Sequence, residues 1–232
     1  MKILLVSATH FEVQKLVDRN DPVEIITDHL YHLRKERMQV YLLTPGIGML
    51  HTAFYLGKVL AQRSYDLAVN VGICGAYCRD IPLGSIVHVT TECLPEPGAE
   101  KDGLFRSVFE LGLMPPDEYP FVDGKLVNTV IPGWKTIDRL PVVTGNSVST
   151  LYADPGRIHQ LTKLFPADVE SMEGAAFLFG CLVEKLPSVQ IRAVSNYVGE
   201  RDKTKWEIRL AVKNLHDVLV RLIEEMEEFS RS

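Results

Sequence analysis

The sequence predicts an α/β fold, a single domain over 1–232 with a twisted mixed β-sheet flanked by helices, and three observations predict it. Apolar runs of strand length at 3–6, 38–43, 65–71 and 86–90 alternate with stretches of helical period. At 232 residues and 46% hydrophobic content the chain is long enough to bury one large core. Glycine-rich or polar turns follow several of the expected strands, which is where open α/β sheets bind ligands.

Each element has its own local reason. Residues 3–6 are uniformly apolar, as a strand covered on both faces requires. A helix carrying Phe11, Val13, Leu16 and Val17 follows, which puts Glu12 in its first turn at the carboxyl end of the first strand. Segments 23–27, 30–33 and 38–43, the last two divided by Lys35-Glu36-Arg37, read as antiparallel hairpin strands. Thr44-Pro45-Gly46-Ile47-Gly48 then opens a helix through Ala53, Leu56 and Leu60, and its glycines let backbone amides face a ligand. Strand 65–71 runs into a second glycine turn, Gly72-Ile73-Cys74-Gly75-Ala76. Neither turn has the Gly-x-Gly-x-x-Gly spacing after the first strand, with an acid about 20 residues on, that a dinucleotide site needs.

After the strand at 86–90, residues 95–125 are rich in proline, glycine and charge. They nonetheless carry Phe105, Val108, Phe109, Leu111 and Leu113, too apolar to leave in water, so a lid or a partner-contacting excursion is expected. A strand ends at 142–145 and a helix covers 158–165. The chain then reaches Val169-Glu170-Ser171-Met172-Glu173, a strand ending in a carboxylate, followed by a helix and by 191–196, a strand ending in the amide of Asn196. These read as a β-α-β unit of a mostly parallel sheet. Trp206, Leu210, Leu215, Leu219, Leu222, Ile223 and Met226 repeat at helical spacing and predict an amphipathic closing helix over 203–229.

Composition narrows the function. A net charge of -5, with charges spread along the chain, gives no basic footprint for nucleic acid and no polybasic membrane anchor. No apolar run reaches membrane-spanning length and no cleavable leader is evident, so a cytoplasmic location is expected. Cys74, Cys78, Cys93 and Cys181 lack metal or redox spacing and read as reduced; no metal and no cofactor are expected.

Glu12, Gly46 to Gly48, Gly72 to Ala76, Gly145 to Ser149, Glu170 to Glu173 and Asn196 all follow predicted strands and so can converge on one sheet edge. Two carboxylates and an amide beside glycine turns suit cleavage of a bond through a sugar cation, one carboxylate activating water and the other orienting sugar hydroxyls. Each residue also has a plainer reading. Glu12 and Glu173 fit first-turn acids complementing a helix dipole, Asn196 fits a strand-end backbone partner, and Met172 and Trp206 fit core packing.

Gly46-Ile47-Gly48, Asn70-Val71-Gly72-Ile73-Cys74-Gly75-Ala76, Val169-Glu170-Ser171-Met172-Glu173 and Arg192-Ala193-Val194-Ser195-Asn196, in that order, resemble the nucleoside phosphorylase/nucleosidase superfamily along nearly the whole chain. Within it, the stretches 195–203 and 107–112 resemble the futalosine hydrolases of the menaquinone pathway, and the methylthioadenosine/S-adenosylhomocysteine nucleosidases are the better-known relatives. The resemblance implies that Glu12 is the general base that activates water, that Glu173 holds the ribose hydroxyls, and that Met172 packs on the ribose. Trp206 takes the place of an aromatic that stacks on the base, while Val148 replaces an aromatic on its other face; Ile73 and Gly48 complete the expected substrate lining.

Asn196 stands where adenine-specific nucleosidases carry aspartate. An amide offers a donor and an acceptor together, so a 6-oxopurine such as the hypoxanthine of futalosine fits better than adenine. Phosphorylases of this resemblance would carry arginine at Asn70 and serine at Ile73, both on phosphate, so water is the expected nucleophile. A phosphorylase, an adenine nucleosidase and a non-catalytic nucleoside-binding protein remain the alternatives, and the resemblance implies a homodimer.

Overall fold

A computed structural model describes residues 1–17, 23–34, 38–129 and 133–229. β1 (Lys2–Ser7) is buried from its second residue onward and leads into α1 (His10–Val17). β2 (Val23–Thr27), β3 (Leu30–Arg34) and β4 (Gln39–Leu43) form the expected antiparallel meander, and β4 lies parallel to β1. The turn expected at 35–37 falls outside the described residues, as do the side chains of Leu16 and Val17. α2 (Met49–Gln62) then leads to β5 (Leu67–Ala76), parallel to β1 on its other side.

The second half supplies β6 (Ile86–Cys93), the hairpin β7 (Gly98–Lys101) and β8 (Leu104–Ser107), and the short pair β9 (Phe121–Val122) and β10 (Lys125–Val127). α3 (Lys135–Asp138), β11 (Val142–Ser147), α4 (Pro155–Leu164), β12 (Val169–Ser171), α5 (Gly174–Val183) and β13 (Ser188–Tyr197) follow, and α6 (Ile208–Phe229) closes the chain. α4 starts earlier than the apolar pattern implied, because the Asp154 side chain caps it by accepting from the Arg157 amide.

The sheet runs β2-β3-β4-β1-β5-β12-β11-β6-β10-β9, and β13 pairs with both β5 and β6. β5, β12, β11, β6 and β13 therefore close into a five-stranded ring. This corrects the mostly parallel expectation. β12 is antiparallel to β5 while β13 is parallel to it, so the two strands flanking α5 are neither neighbours nor co-directional. Closing the ring demands it: the three residues of β12 bridge β11 to β5, and β13 takes the other edge of β5.

Two helical layers cover the open part of the sheet, sorted by strand alternation. Ile3 and Leu5 join the α6 residues Leu215, Leu219 and Leu222, while Leu4 and Val6 join Leu56 of α2 and Phe177 of α5. Each such fully buried side chain contributes roughly 1.5–3 kcal/mol, which is what holds the strand ends in fixed relation.

Two further expectations change. β5 does not stop at Val71 but continues through Gly72 and Gly75 to Ala76, so these glycines are strand residues rather than turn residues. The closing helix begins at Ile208, and Trp206 lies before it, after a single 3-10 turn at Lys203–Lys205. In segment 95–125 Phe109 stacks edge-on against Phe121 at 5.5 Å and packs with Leu126, Ala175 and Leu178, while Leu104 and Leu113 stay exposed.

Candidate active site

The glycines inside β5 explain where the site forms. A Cβ on Gly72 would sit 2.5 Å from Arg192 Nη1 and 2.9 Å from Glu12 Oε1, so glycine leaves the room that both charged groups use over the strand. A Cβ on Gly75 would sit 3.2 Å from Asn196 Nδ2 and 3.5 Å from Glu170 Cγ. Around them a cavity of about 360 Å³ is lined by Glu12, Ile73, Glu170, Met172, Glu173, Asn196 and Trp206, among others. That is within the usual range for a small-molecule pocket.

Glu12 is nearly fully buried, and donors from two elements fix it. Oε2 accepts from the Ser7 hydroxyl (3.0 Å), the Thr9 amide (3.1 Å) and the Thr9 hydroxyl (3.2 Å). Oε1 accepts from the Ile73 amide at 3.1 Å and retains capacity for one more hydrogen. Glu173 begins α5 and accepts from the Gly48 amide at 2.9 Å. The α2 N-terminus thus spends that N–H on an internal carboxylate rather than on a ligand directly. Burial raises the Glu173 pKa, opposed by the Arg192 charge and the Gly48 amide and reinforced by Glu12.

Arg192 is the residue that sequence reasoning left without a role. It is 1% exposed, donates from Nη2 to Asn70 Oδ1 at 2.5 Å, and lies behind the cavity wall. The signal was present: one guanidinium among Ile191, Ala193 and Val194 in a buried strand must be paired with something. Asn70 in turn donates to the Val6 carbonyl at 3.0 Å, tying β5 to β1 beneath Glu12.

Asn196 reaches the cavity through a register shift. Val194 pairs with Cys74 and Asn196 with Gly75, so Ser195 is the extra residue of a bulge and Asn196 takes the place beside Gly75 that Ser195 would otherwise hold. The amide's orientation follows from its neighbours. The Ser195 hydroxyl has its one hydrogen between Oδ1 at 2.8 Å and the Cys74 carbonyl at 3.2 Å, and Nδ2 donates to the Tyr197 carbonyl at 3.3 Å, the contact that sets the orientation. Flipping the amide would set its oxygen against that carbonyl, two acceptors face to face.

Glu170 also lines the cavity, at the sheet edge where the sequence placed it without giving it a role. It is 6% exposed, accepts from the Tyr77 hydroxyl at 2.9 Å, and burial pushes its pKa up to about 7 against the Tyr77 bond and the Arg201 charge, with Glu96 adding to the rise. Trp206 is half-buried at the mouth; its Nε1 donates to the Glu200 carbonyl at 2.9 Å, and Arg201 lies 5.8 Å from its ring. Val148 does not reach the cavity. It is fully buried with its amide on the Ser171 carbonyl, and Leu151, further along the loop, contributes to the lining in that region. Among the described residues no cluster of three or more His, Cys, Asp or Glu could hold a metal ion, and no helix is long and apolar enough to cross a membrane.

Comparison with known proteins gives the family. Residues 2–224 match the family described as the phosphorylase superfamily. Futalosine hydrolase of Thermus thermophilus is 30% identical over 193 residues, covering 80% of this chain and 81% of the relative. Futalosine hydrolase of Streptomyces coelicolor is 31% identical over 200 residues, covering 81% and 80%. Among solved structures, the methylthioadenosine/S-adenosylhomocysteine nucleosidase of Streptococcus pneumoniae, in complex with 8-aminoadenine, superposes with a TM-score of 0.79 at 19% identity, covering 97% of this chain and all of that one.

Proposed function

The chain belongs to the phosphorylase superfamily and is an N-glycosyl hydrolase, and from that premise we propose that its substrate is a 6-oxopurine nucleoside, futalosine, cleaved to hypoxanthine and dehypoxanthine futalosine in menaquinone formation. The observation that carries the base choice is the amide of Asn196 in the cavity, which with Nδ2 on the Tyr197 carbonyl keeps one N–H as a donor suited to a 6-oxo group and opposed to a 6-amino group.

Glu12 takes the proton of the attacking water on the capacity left at Oε1. Glu173, braced by Gly48, holds the ribose hydroxyls as the sugar becomes cationic, and the two carboxylates favour that charge. Water rather than phosphate is the nucleophile because Ile73 offers only its amide, already given to Glu12, and Asn70 is committed to Arg192 and Val6. A carboxylate at Glu12 also repels an anion. Met172 and Trp206 supply apolar contact to ribose and base.

The test is to mix the protein with futalosine, inosine and methylthioadenosine, with and without phosphate, and follow free base. Phosphate-independent release of hypoxanthine, faster than release of adenine, is expected; a phosphate requirement or faster adenine release overturns the reading.

The protein is further proposed to act as a homodimer. Leu50 and Phe54, one turn apart on α2, are 81% and 63% exposed, and they continue from Ile47, which itself lines the cavity. Burying this surface against a second copy would finish the cavity wall. Light scattering should give twice the chain mass, and Leu50→Glu with Phe54→Glu should give a monomer; a fully active wild-type monomer at micromolar concentration overturns it.

A further inference from the structure

We propose that Glu170 gives the departing purine its proton, a step that the amide of Asn196 cannot perform. The proposal rests on the nucleosidase reading above and adds to it the missing acid. When the bond between C1′ and N9 breaks, both electrons go to the purine, and a hypoxanthine anion is a far poorer leaving group than one protonated at N7 as the bond breaks. An amide has no proton to give near neutral pH.

Register places Glu170 for the task. β12 pairs Glu170 with Gly75, and β13 pairs Asn196 with the same Gly75, so the two side chains lean over one glycine from opposite edges of β5. Both line the cavity. Every other carboxylate lining it is held by a backbone amide, Glu12 by Thr9 and Ile73 and Glu173 by Gly48, whereas Glu170 receives only the Tyr77 hydroxyl on Oε2. Among the described residues Oε1 has no donor and is the oxygen able to carry a proton. Asn146 donates to the Tyr77 oxygen at 3.3 Å, which leaves the Tyr77 hydrogen for Glu170.

The charged and titratable groups facing Glu170 are Tyr77 at the end of β5, Arg201 beyond β13, Glu96 beyond β6 and the Cys74 thiol of β5, which burial pushes up to about 12 and so keeps neutral. Their sum, dominated by burial, leaves the carboxyl half-protonated near pH 7, where a general acid works best. The step balances. The Glu170 proton goes to N7 as the electron pair of the broken bond enters the purine, water adds to C1′, and the water's proton goes to Glu12. Solvent then reprotonates Glu170 and deprotonates Glu12.

Glu170→Gln keeps an acceptor for Tyr77 and removes the acid. Its kcat/KM is to be compared with wild type on inosine or futalosine and on 7-methylinosine, whose base leaves as a neutral species without gaining a proton, across pH 5 to 9. Loss of about 10²- to 10⁴-fold on the ordinary nucleoside, with a much smaller loss on the methylated one, is expected. The wild-type fall in activity above about pH 7 should vanish in the variant. Glu170→Asp should restore part of the activity and the alkaline limb. Tyr77→Phe removes a donor that favours the ionised form and should move that limb upward. Equal losses on both substrates, or an alkaline limb unchanged in Glu170→Gln and Tyr77→Phe, overturns the proposal. A wild-type protein that releases no hypoxanthine at all overturns the nucleosidase reading beneath it.

Discussion

The two ends of the cavity stand three residues apart on β5, over Gly72 and over Gly75, and they are built on opposite principles. At Gly72 the charges are over-determined. Glu12 has four donors, Glu173 a backbone amide, and Arg192 a buried amide oxygen, so the groups proposed to act on sugar and water are held by the protein itself. At Gly75 the contacts are few and neutral: a hydroxyl on Glu170 and a hydroxyl and a carbonyl on Asn196. Preorganisation suits the end where positive charge develops on every turnover, whatever the base. A sparsely held end is where a change of side chain changes the substrate.

The largest expected effect tests the rigid end directly. Glu12→Gln keeps the size but removes the base, and hydrolysis should fall by about 10² to 10⁴ with the fold intact. Steady-state assays beside a circular dichroism spectrum check it; near-native turnover would move the base elsewhere. Gly72→Ala should come next. Its methyl would intrude on Arg192 and Glu12 at 2.5 and 2.9 Å, and a displacement approaching 1 Å costs roughly 10²-fold. Gly75→Ala meets its neighbours at 3.2 Å or more, so its loss should be about tenfold or less, with KM moving more than kcat. If Gly75→Ala proved the more damaging of the two, the contrast between the ends would fail.

Asn196→Asp probes the permissive end by changing its chemistry without its size. Ser195 would still donate to one oxygen, while the other becomes an acceptor for a 6-amino group. The ratio of kcat/KM for futalosine to that for its 6-amino analogue should fall about tenfold or more, since an unpaired buried polar group costs roughly 1–3 kcal/mol. An unchanged ratio would mean that Asn196 does not read the base.

The same contrast explains what could be read from the sequence. At the rigid end the positions of Glu12 and Glu173 were legible locally, since Glu12 follows an apolar strand and Glu173 starts an apolar helix, whereas the roles expected of them came from the family resemblance. At the permissive end Asn196 and Glu170 were placed at the sheet edge from their strands, but how they face each other was not legible, because it depends on pairing between distant segments. Nothing near Glu170 says that a three-residue strand will lie antiparallel to β5 with Glu170 against Gly75. Nor does the local pattern reveal the bulge at Ser195. Reading Gly72 and Gly75 as a turn came from glycine's usual role; their real constraint is close approach of side chains from other strands. Val148 illustrates the limit of motif position, since the chain turns inward there and Leu151 meets the cavity instead.

The smallest effect is on stability, and it asks what the permissive end costs the fold. Burial lifts the Glu170 pKa from 4.5 to about 7, so between those values the folded chain binds more protons than the unfolded one. Stability from this group must therefore fall as pH rises through that window, being fully retained below about 4.5 and lost above about 7. Glu170→Gln, which cannot ionise, escapes the loss. Wild type and variant should be alike near pH 4, and the variant should be more stable at pH 8 by roughly 1–3 kcal/mol, a bound set by the size of the shift. Urea midpoints at the two pH values measure the difference. A variant that gained stability at pH 8 while losing hydrolysis would show that the sparse end trades fold stability for a proton held at neutral pH. Equal midpoints at pH 8 would mean that Glu170 is ionised there without penalty, and the distinction between a braced and an unbraced carboxylate would lose its energetic basis.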